Sequence, residues 1–200
     1  MSEIGILGGT FDPFHNGHLS IAEAAIKEFH LSKVILLPAK VQPFKLGKEM
    51  ASETHRVNMV KRIAERNKHY AVSTIEAYSD SVSYTAKTMK KLQEQFPKDK
   101  LLFILGADSF LCLDTWYMGK ELLSQYAFIV GMRPDTDIGE VRKKLQEYKE
   151  KYHTEVSLMN NALVEISSTE IKKRIREKQS IRQLVPPQIE RYIDEHQLYK

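Results

Sequence analysis

Ile4-Gly5-Ile6-Leu7-Gly8-Gly9-Thr10-Phe11-Asp12-Pro13-Phe14-His15-Asn16-Gly17-His18-Leu19 lies at the start of the chain and decides how the rest is read. A short apolar run, Ile4–Leu7, leads into a glycine-bearing loop, and the loop leads into a strongly helical pattern. Strand, loop and helix start, in that order, make the first crossover of an α/β protein. Such a loop lets backbone N–H groups approach an anion, because glycine carries no Cβ and the helix N-terminus adds a partial positive charge. His15 and His18 stand at that junction. The chemistry they point to is phosphate handling.

Further apolar runs recur outward from this stretch: Val34–Leu37, Tyr70–Val72, Leu101–Leu105, Tyr126–Val130 and a weaker one near Glu155–Leu158. Continuous rather than alternating runs indicate strands covered on both faces, as in a parallel sheet. Amphipathic stripes lie between them: Leu19, Ala22, Ile26 and Phe29; then Val57, Val60, Ile63 and Ala64; then Thr85, Thr88, Met89 and Leu92, ending before Phe96-Pro97. The alternation predicts a doubly wound parallel sheet that binds its ligand at the carboxyl ends of the strands. A helical C-terminal segment, about 167–200, follows. It holds one helix from about Ser168 to Lys178 and another opened by Pro186-Pro187 and running to about His196.

The 200 residues suit one domain, 1–200, with 42% hydrophobic and 28% charged side chains. No apolar run approaches the roughly 18–20 residues of a membrane span, and the N-terminus lacks a secretory layout. Cys112 is the only cysteine, which excludes an intrachain disulfide and a cysteine-based zinc site. These features predict a cytoplasmic protein with no membrane partner. The net charge of +4 suits anionic small molecules, and with 30 basic against 26 acidic residues it offers no broad basic surface for nucleic acid. The run Lys172-Lys173-Arg174 with Arg176 and Lys178 reads first as a solvated helix face. A homo-oligomer is compatible with this sequence, which carries no signal for or against one.

Neither the dinucleotide fingerprint nor the P-loop is present between Gly5 and Gly17. His15-Asn16-Gly17-His18 is more specific than a lone Gly-Gly. Asn16 or Gly17 is expected to cap the helix, with His18 in its first turn and His15 just before it. Read from the residues alone, the histidine pair is open to phosphate contact, zinc ligation or a structural role. Zinc would need a third strong ligand, and Asp12 is the only nearby acid, so the spacing favours phosphate.

Gly8–Leu19 resembles the G-G-T-F-D-P-x-H-x-G-H-L signature of nicotinate mononucleotide adenylyltransferases, within the H-x-G-H nucleotidyltransferase superfamily, and the similarity extends over nearly the whole chain. The resemblance implies transfer of an adenylyl group from ATP to nicotinate mononucleotide, with Mg²⁺ carried by the ATP phosphates and no protein metal site. It assigns His15 and His18 to catalysis and, with Gly8, Gly9, Thr10, Phe11 and Lys45, to the ATP site. Gly106 and Asp108 would contact the adenosine moiety. Ser167, Ser168 and Thr169, in an I-S-S-T-x-I element, would hold the triphosphate. Ser167 and Glu170 also form an S-x-x-E capping box, a complete structural explanation of the same residues. Thr85 of S-Y-T, Trp116, Tyr117 and Arg133 fall to the mononucleotide side. Trp116 reads equally as a buried core anchor and as a stacking platform, and the R-P context of Arg133 equally fits a turn.

Three positions depart from the family pattern. Phe44 stands where a histidine is usual, beside a retained Lys45. Lys87 replaces an aspartate after S-Y-T, and Lys172 replaces an arginine after I-S-S-T-x-I. Lysine keeps the charge but not the planar fork, so its phosphate contact should be less directional. These departures leave open a sister adenylyl- or cytidylyltransferase with another phosphorylated acceptor, or a nucleotide-binding sensor without turnover.

Overall fold

A computed structural model describes residues 1–40, 50–65, 67–79, 82–132, 136–162, 164 and 166–200. Six strands form one parallel sheet: β1 (Glu3–Gly9), β2 (Lys33–Pro38), β3 (Tyr70–Val72), β4 (Lys100–Gly106), β5 (Ala127–Met132) and β6 (Val156–Ala162), in the order β3-β2-β1-β4-β5-β6. The helices are α1 (Asn16–Phe29), α2 (Glu53–Ala64), α3 (Thr85–Gln95), α4 (Ala107–Leu111), α5 (Gly119–Gln125), α6 (Ile138–Tyr152), α7 (Ser168–Arg176) and α8 (Pro187–Glu195).

Each inner strand divides its apolar run between two cores. Val34 and Leu36 of β2, Leu102 and Ile104 of β4, and Ala127 and Ile129 of β5 join one core, where residues of α1, α2, α7 and α8 meet. Ile35, Leu37, Leu101, Phe103, Leu105, Phe128 and Val130 join the other, under α3, α4, α5 and α6. Alternate side chains point to opposite faces of a strand, so continuous apolar runs are what a sheet covered on both sides requires. The doubly wound prediction is borne out.

β1 and β4 are hydrogen-bonded neighbours, yet the chain leaves β1 toward β2 on one side and β4 toward β5 on the other. Their carboxyl ends therefore flank a crevice that no crossover covers, the topological switch point of an open sheet. Leu7–Gly9 and Phe103–Gly106 form its floor.

The sequence stripes did not single out α6. Asp137 caps it, its carboxylate accepting from the N–H groups of Gly139 (2.7 Å) and Glu140 (3.3 Å). Only Val141 and Tyr148 of this helix are buried, amid many charges. The expected C-terminal helices are present, ending at Arg176 and Glu195. No helix among the described residues is long and apolar enough to cross a membrane.

Candidate functional site

A cavity of about 470 Å³ opens above the carboxyl ends of β1 and β4. Gly8, Gly9, His18, Gly106, Thr85, Trp116 and Tyr117 all line it, so seven positions singled out in the sequence meet in one place. Gly9 shows why this floor lacks side chains: a Cβ there would lie 2.8 Å from the Phe11 ring. At Gly106 a Cβ would meet nothing within 4 Å.

The loop after β1 is built from below. Phe11 adopts a left-handed backbone (φ 51°), a conformation that side chains disfavour. Its ring is buried and packs 5.4 Å from Phe14 and 4.9 Å, edge-on, from His18. Thr10 and His15 are likewise buried in the loop, and none of Thr10, Phe11 and His15 lines the cavity. Arg56 of α2, 1% exposed, donates to the carbonyls of Thr10 (2.8 Å), Lys40 (2.8 Å), Ala51 (3.2 Å) and Ala39. One guanidinium thereby ties the loop to the segment after β2. Burial lowers its pKa, and the negative charge of Asp12 opposes that shift.

Helix α1 begins one residue earlier than the sequence suggests. His15 is the capping residue, in extended conformation, and Asn16 is already helical. The side chain of Asn16 donates to the Gln183 carbonyl (2.9 Å), and its N–H donates to Leu184 (2.9 Å). The C-terminal segment thus claims the residue expected to cap the helix and removes one N–H from anion binding. His18 falls in the first turn as expected. The His15 N–H donates to His18 Nδ1 (3.2 Å), which puts the proton of a neutral His18 ring on Nε2.

Ser168 Oγ donates to the Pro13 carbonyl (3.3 Å), bringing the start of α7 against the histidine loop. Ser167 accepts from the Glu170 N–H (3.1 Å), as a cap should. Glu170 does not complete the box, because its carboxylate pairs with Arg174 Nε at 2.8 Å. Ser167 and Thr169 are exposed, and so are Lys173, Arg176 and Lys178. Lys172 is not part of the solvated face: its ammonium pairs with the buried Asp12 carboxylate.

Opposite the loop, the Tyr84 and Tyr117 rings meet with centroids 4.7 Å apart, joining the start of α3 to the Trp116 segment. Lys87 Nζ lies 5.1 Å from the Tyr117 ring centroid and 5.5 Å from that of Tyr84. Trp116 caps a short 3₁₀ turn, Leu113–Thr115, lines the cavity, and buries its Nε1 with no partner among the described residues. Asp108 stands exposed in the first turn of α4 and is not among the residues lining the cavity. Lys45 and Arg133 lie outside the described residues, as does Phe44.

The sequence reading missed Glu76. It lines the cavity while only 7% exposed, and accepts a 2.6 Å hydrogen bond from Thr88 Oγ1. Burial pushes its carboxyl above the usual range, against hydrogen bonds from Thr88 and Ser83 that lower it. Among the described residues no cluster of three or more His, Cys, Asp or Glu side chains is arranged to hold a metal ion.

Residues 6–174 match the cytidylyltransferase-like family. A protein of Lachnoclostridium phytofermentans, described as a probable nicotinate-nucleotide adenylyltransferase, is 35% identical over 199 residues that cover 100% of both chains. One of the same description from Desulfitobacterium hafniense is 40% identical over 98% of this chain and 95% of its own. The chain belongs to the nicotinate-nucleotide adenylyltransferase family. Among solved structures, the nicotinic acid mononucleotide adenylyltransferase of Plasmodium falciparum, complexed with APC, superposes with a TM-score of 0.81. At 21% identity, covering 100% of this chain and 98% of that one, this match is a likeness of fold. The same enzyme complexed with NaAD gives a TM-score of 0.79.

Proposed function

We propose that the protein transfers the adenylyl group of ATP to nicotinate mononucleotide, releasing pyrophosphate and deamido-NAD. The observation that carries this reading is the single cavity joining the Gly8-Gly9 and His18 floor to the Trp116-Tyr117 wall. One end suits phosphates and the other a flat ring. The Plasmodium falciparum enzyme of like fold is complexed with APC in one structure and with NaAD in another, and the relatives matched over all or nearly all of their length carry the adenylyltransferase description.

In this reading an oxygen of the mononucleotide phosphate attacks the α-phosphorus of ATP. The bond to the bridging oxygen of the β-phosphate breaks, and pyrophosphate leaves with that electron pair. The attacking phosphate is already ionised at neutral pH, so no side chain has to remove a proton. Catalysis becomes alignment plus stabilisation of charge on the equatorial and leaving oxygens. His18 Nε2 donates to that charge from the cavity floor. His15, buried behind it with ring centroids 3.6 Å apart, backs the His18 ring and fixes its orientation. Gly8 and Gly9 let the nucleotide approach the backbone, and Gly106 leaves room for the adenosine. Ser168, Thr169 and Lys172 at the start of α7 hold the outer phosphates, with Lys45 supplying a further cation. Thr85 and Tyr117 border the pyridine ring, and Trp116 stacks on it.

Mg²⁺ would enter with ATP, held by phosphate oxygens and water, and would neutralise part of the triphosphate charge. The donor set fits that mode: Asp12, the carboxylate in the histidine loop, is already engaged by Lys172. We place the reaction in the cytoplasm, where an exposed thiol such as Cys112 stays reduced.

Steady-state pyrophosphate release from ATP with nicotinate mononucleotide, nicotinamide mononucleotide, phosphopantetheine and glycerol phosphate tests the reading. It stands if the carboxylate-bearing mononucleotide gives the highest kcat/KM. Preference for a non-pyridine acceptor would assign a sister transferase, and binding without pyrophosphate a sensor.

A further inference from the structure

The Asp12 carboxylate, 4% exposed in the histidine loop, is met by three groups from distant parts of the chain. The Ala51 N–H donates to Oδ1 (3.0 Å), the Tyr199 hydroxyl donates to Oδ1 (2.7 Å), and the Lys172 ammonium pairs with Oδ2. Lys172 Nζ also lies 5.2 Å from the Tyr199 ring centroid. Tyr199 is the penultimate residue of 200. Here the end reverses on itself, Gln197 and Tyr199 adopting left-handed φ values of 52° and 65°, while the Leu198 N–H donates to the Ile193 carbonyl (3.0 Å). Leu198 and Tyr199 pack against the core shared by α1, α7 and α8.

We propose that Tyr199 is a positioning residue of the nucleotide site: its hydroxyl orients Asp12, and through Asp12 it fixes where the Lys172 ammonium meets the triphosphate. The inference rests on the ATP-binding reading above. Lys172 projects from α7 four residues after Ser168, which is hydrogen-bonded to the same loop at Pro13. An ammonium is a point charge on a flexible stem with no fork of its own to give it direction. The Asp12 carboxylate below it and the Tyr199 ring beside it supply that direction. When phosphate oxygens compete for the ammonium, the Tyr199 hydroxyl and the Ala51 N–H remain on Asp12, so that its buried charge keeps partners. Burial, and then the charge of Asp12, push the ionisation of Tyr199 well above its usual range, which keeps the hydroxyl a donor at every working pH.

The test uses the full-length protein and measures wild-type turnover of ATP with nicotinate mononucleotide first. Absence of pyrophosphate there would refute the functional reading, whatever Tyr199 does. With turnover established, Tyr199→Phe should raise KM for ATP about tenfold, the loss expected for one hydrogen bond to a charged group, with kcat and the mononucleotide KM within about twofold of wild type. The same substitution in an Asp12→Asn background should add less than about twofold, because the hydroxyl acts through the carboxylate. If Asp12→Asn does not fold, Lys172→Met provides the second background, with the same small increment expected. A purely structural tyrosine would lower Tm and leave KM for ATP unchanged. A wild-type KM for ATP in Tyr199→Phe, or an equal loss in both backgrounds, overturns the proposal.

Discussion

The His15 and His18 imidazoles are stacked, with planes inclined by 22°. Capping geometry produces the pairing, since His15 at the cap and His18 three residues on, in the first turn, close on one another. The His15 N–H closes the arrangement on His18 Nδ1, so the ring that lines the cavity is also part of the helix cap. Phosphate chemistry and helix start share one side chain.

That double role separates two effects of His18→Ala. Losing a preorganised donor to developing charge should cost about 2.7–4 kcal/mol, or roughly 10²–10³ in kcat. Losing the cap interaction should cost about 1 kcal/mol and lower Tm by roughly 2–4 °C. Single-turnover rates and thermal unfolding measure the two independently. A near-normal rate in this variant would remove His18 from the chemistry.

Gly106 separates function from stability in the opposite sense. Its backbone is extended (φ −78°), and an added Cβ meets nothing. Gly106→Val should therefore leave Tm within about 1 °C while filling nucleotide space, raising KM for ATP about tenfold or more. A large fall in Tm with unchanged KM would show that the open space serves the fold.

How far the sequence reveals this site depends on whether a signal is local. Continuous apolar runs placed the strands, and the loop at Gly8–Leu19 placed the crossover, because each depends on neighbours in the chain. α6 was not singled out, since its apolar stripe is thin against its charges. Arg56 falls among the apolar residues Val57, Val60 and Ile63 of α2, and nothing in that local pattern marks it, because the four carbonyls that converge on it come from other segments. Asp12 and Tyr199 are 187 residues apart, beyond any periodicity. Local preference points to Asn16 or Gly17 as the cap, whereas His15 takes that place and the Asn16 N–H goes to the Leu184 carbonyl, from a segment far along the chain.

Arg56→Met tests the buried guanidinium. The substitution keeps much of the side-chain length but strands several buried carbonyls, and breaking such a charged network costs about 3–5 kcal/mol. Tm should fall by roughly 6–20 °C at that cost. Arg56→Lys should recover only part of the loss, because an ammonium cannot span acceptors set for a planar fork. Thermal unfolding of both variants checks the order, and equal stability of Met and Lys would mean that charge and geometry contribute nothing there.

Glu76 gives a pH dependence of definite sign. Burial raises its folded pKa above the ordinary 4.5, so the native state binds that proton more tightly than the unfolded chain does. The stability contributed by this group is therefore complete below pH 4.5 and is lost as pH rises through the higher folded value. Glu76→Gln keeps an oxygen to accept from Thr88 and never has to bury a charge. The difference in Tm, variant minus wild type, should accordingly become more positive from pH 4.5 to pH 8 and change little below that window. Differential scanning calorimetry across the range decides the matter. A difference that stays flat or falls with rising pH would mean that solvent or a cation already compensates the carboxylate at the cavity wall.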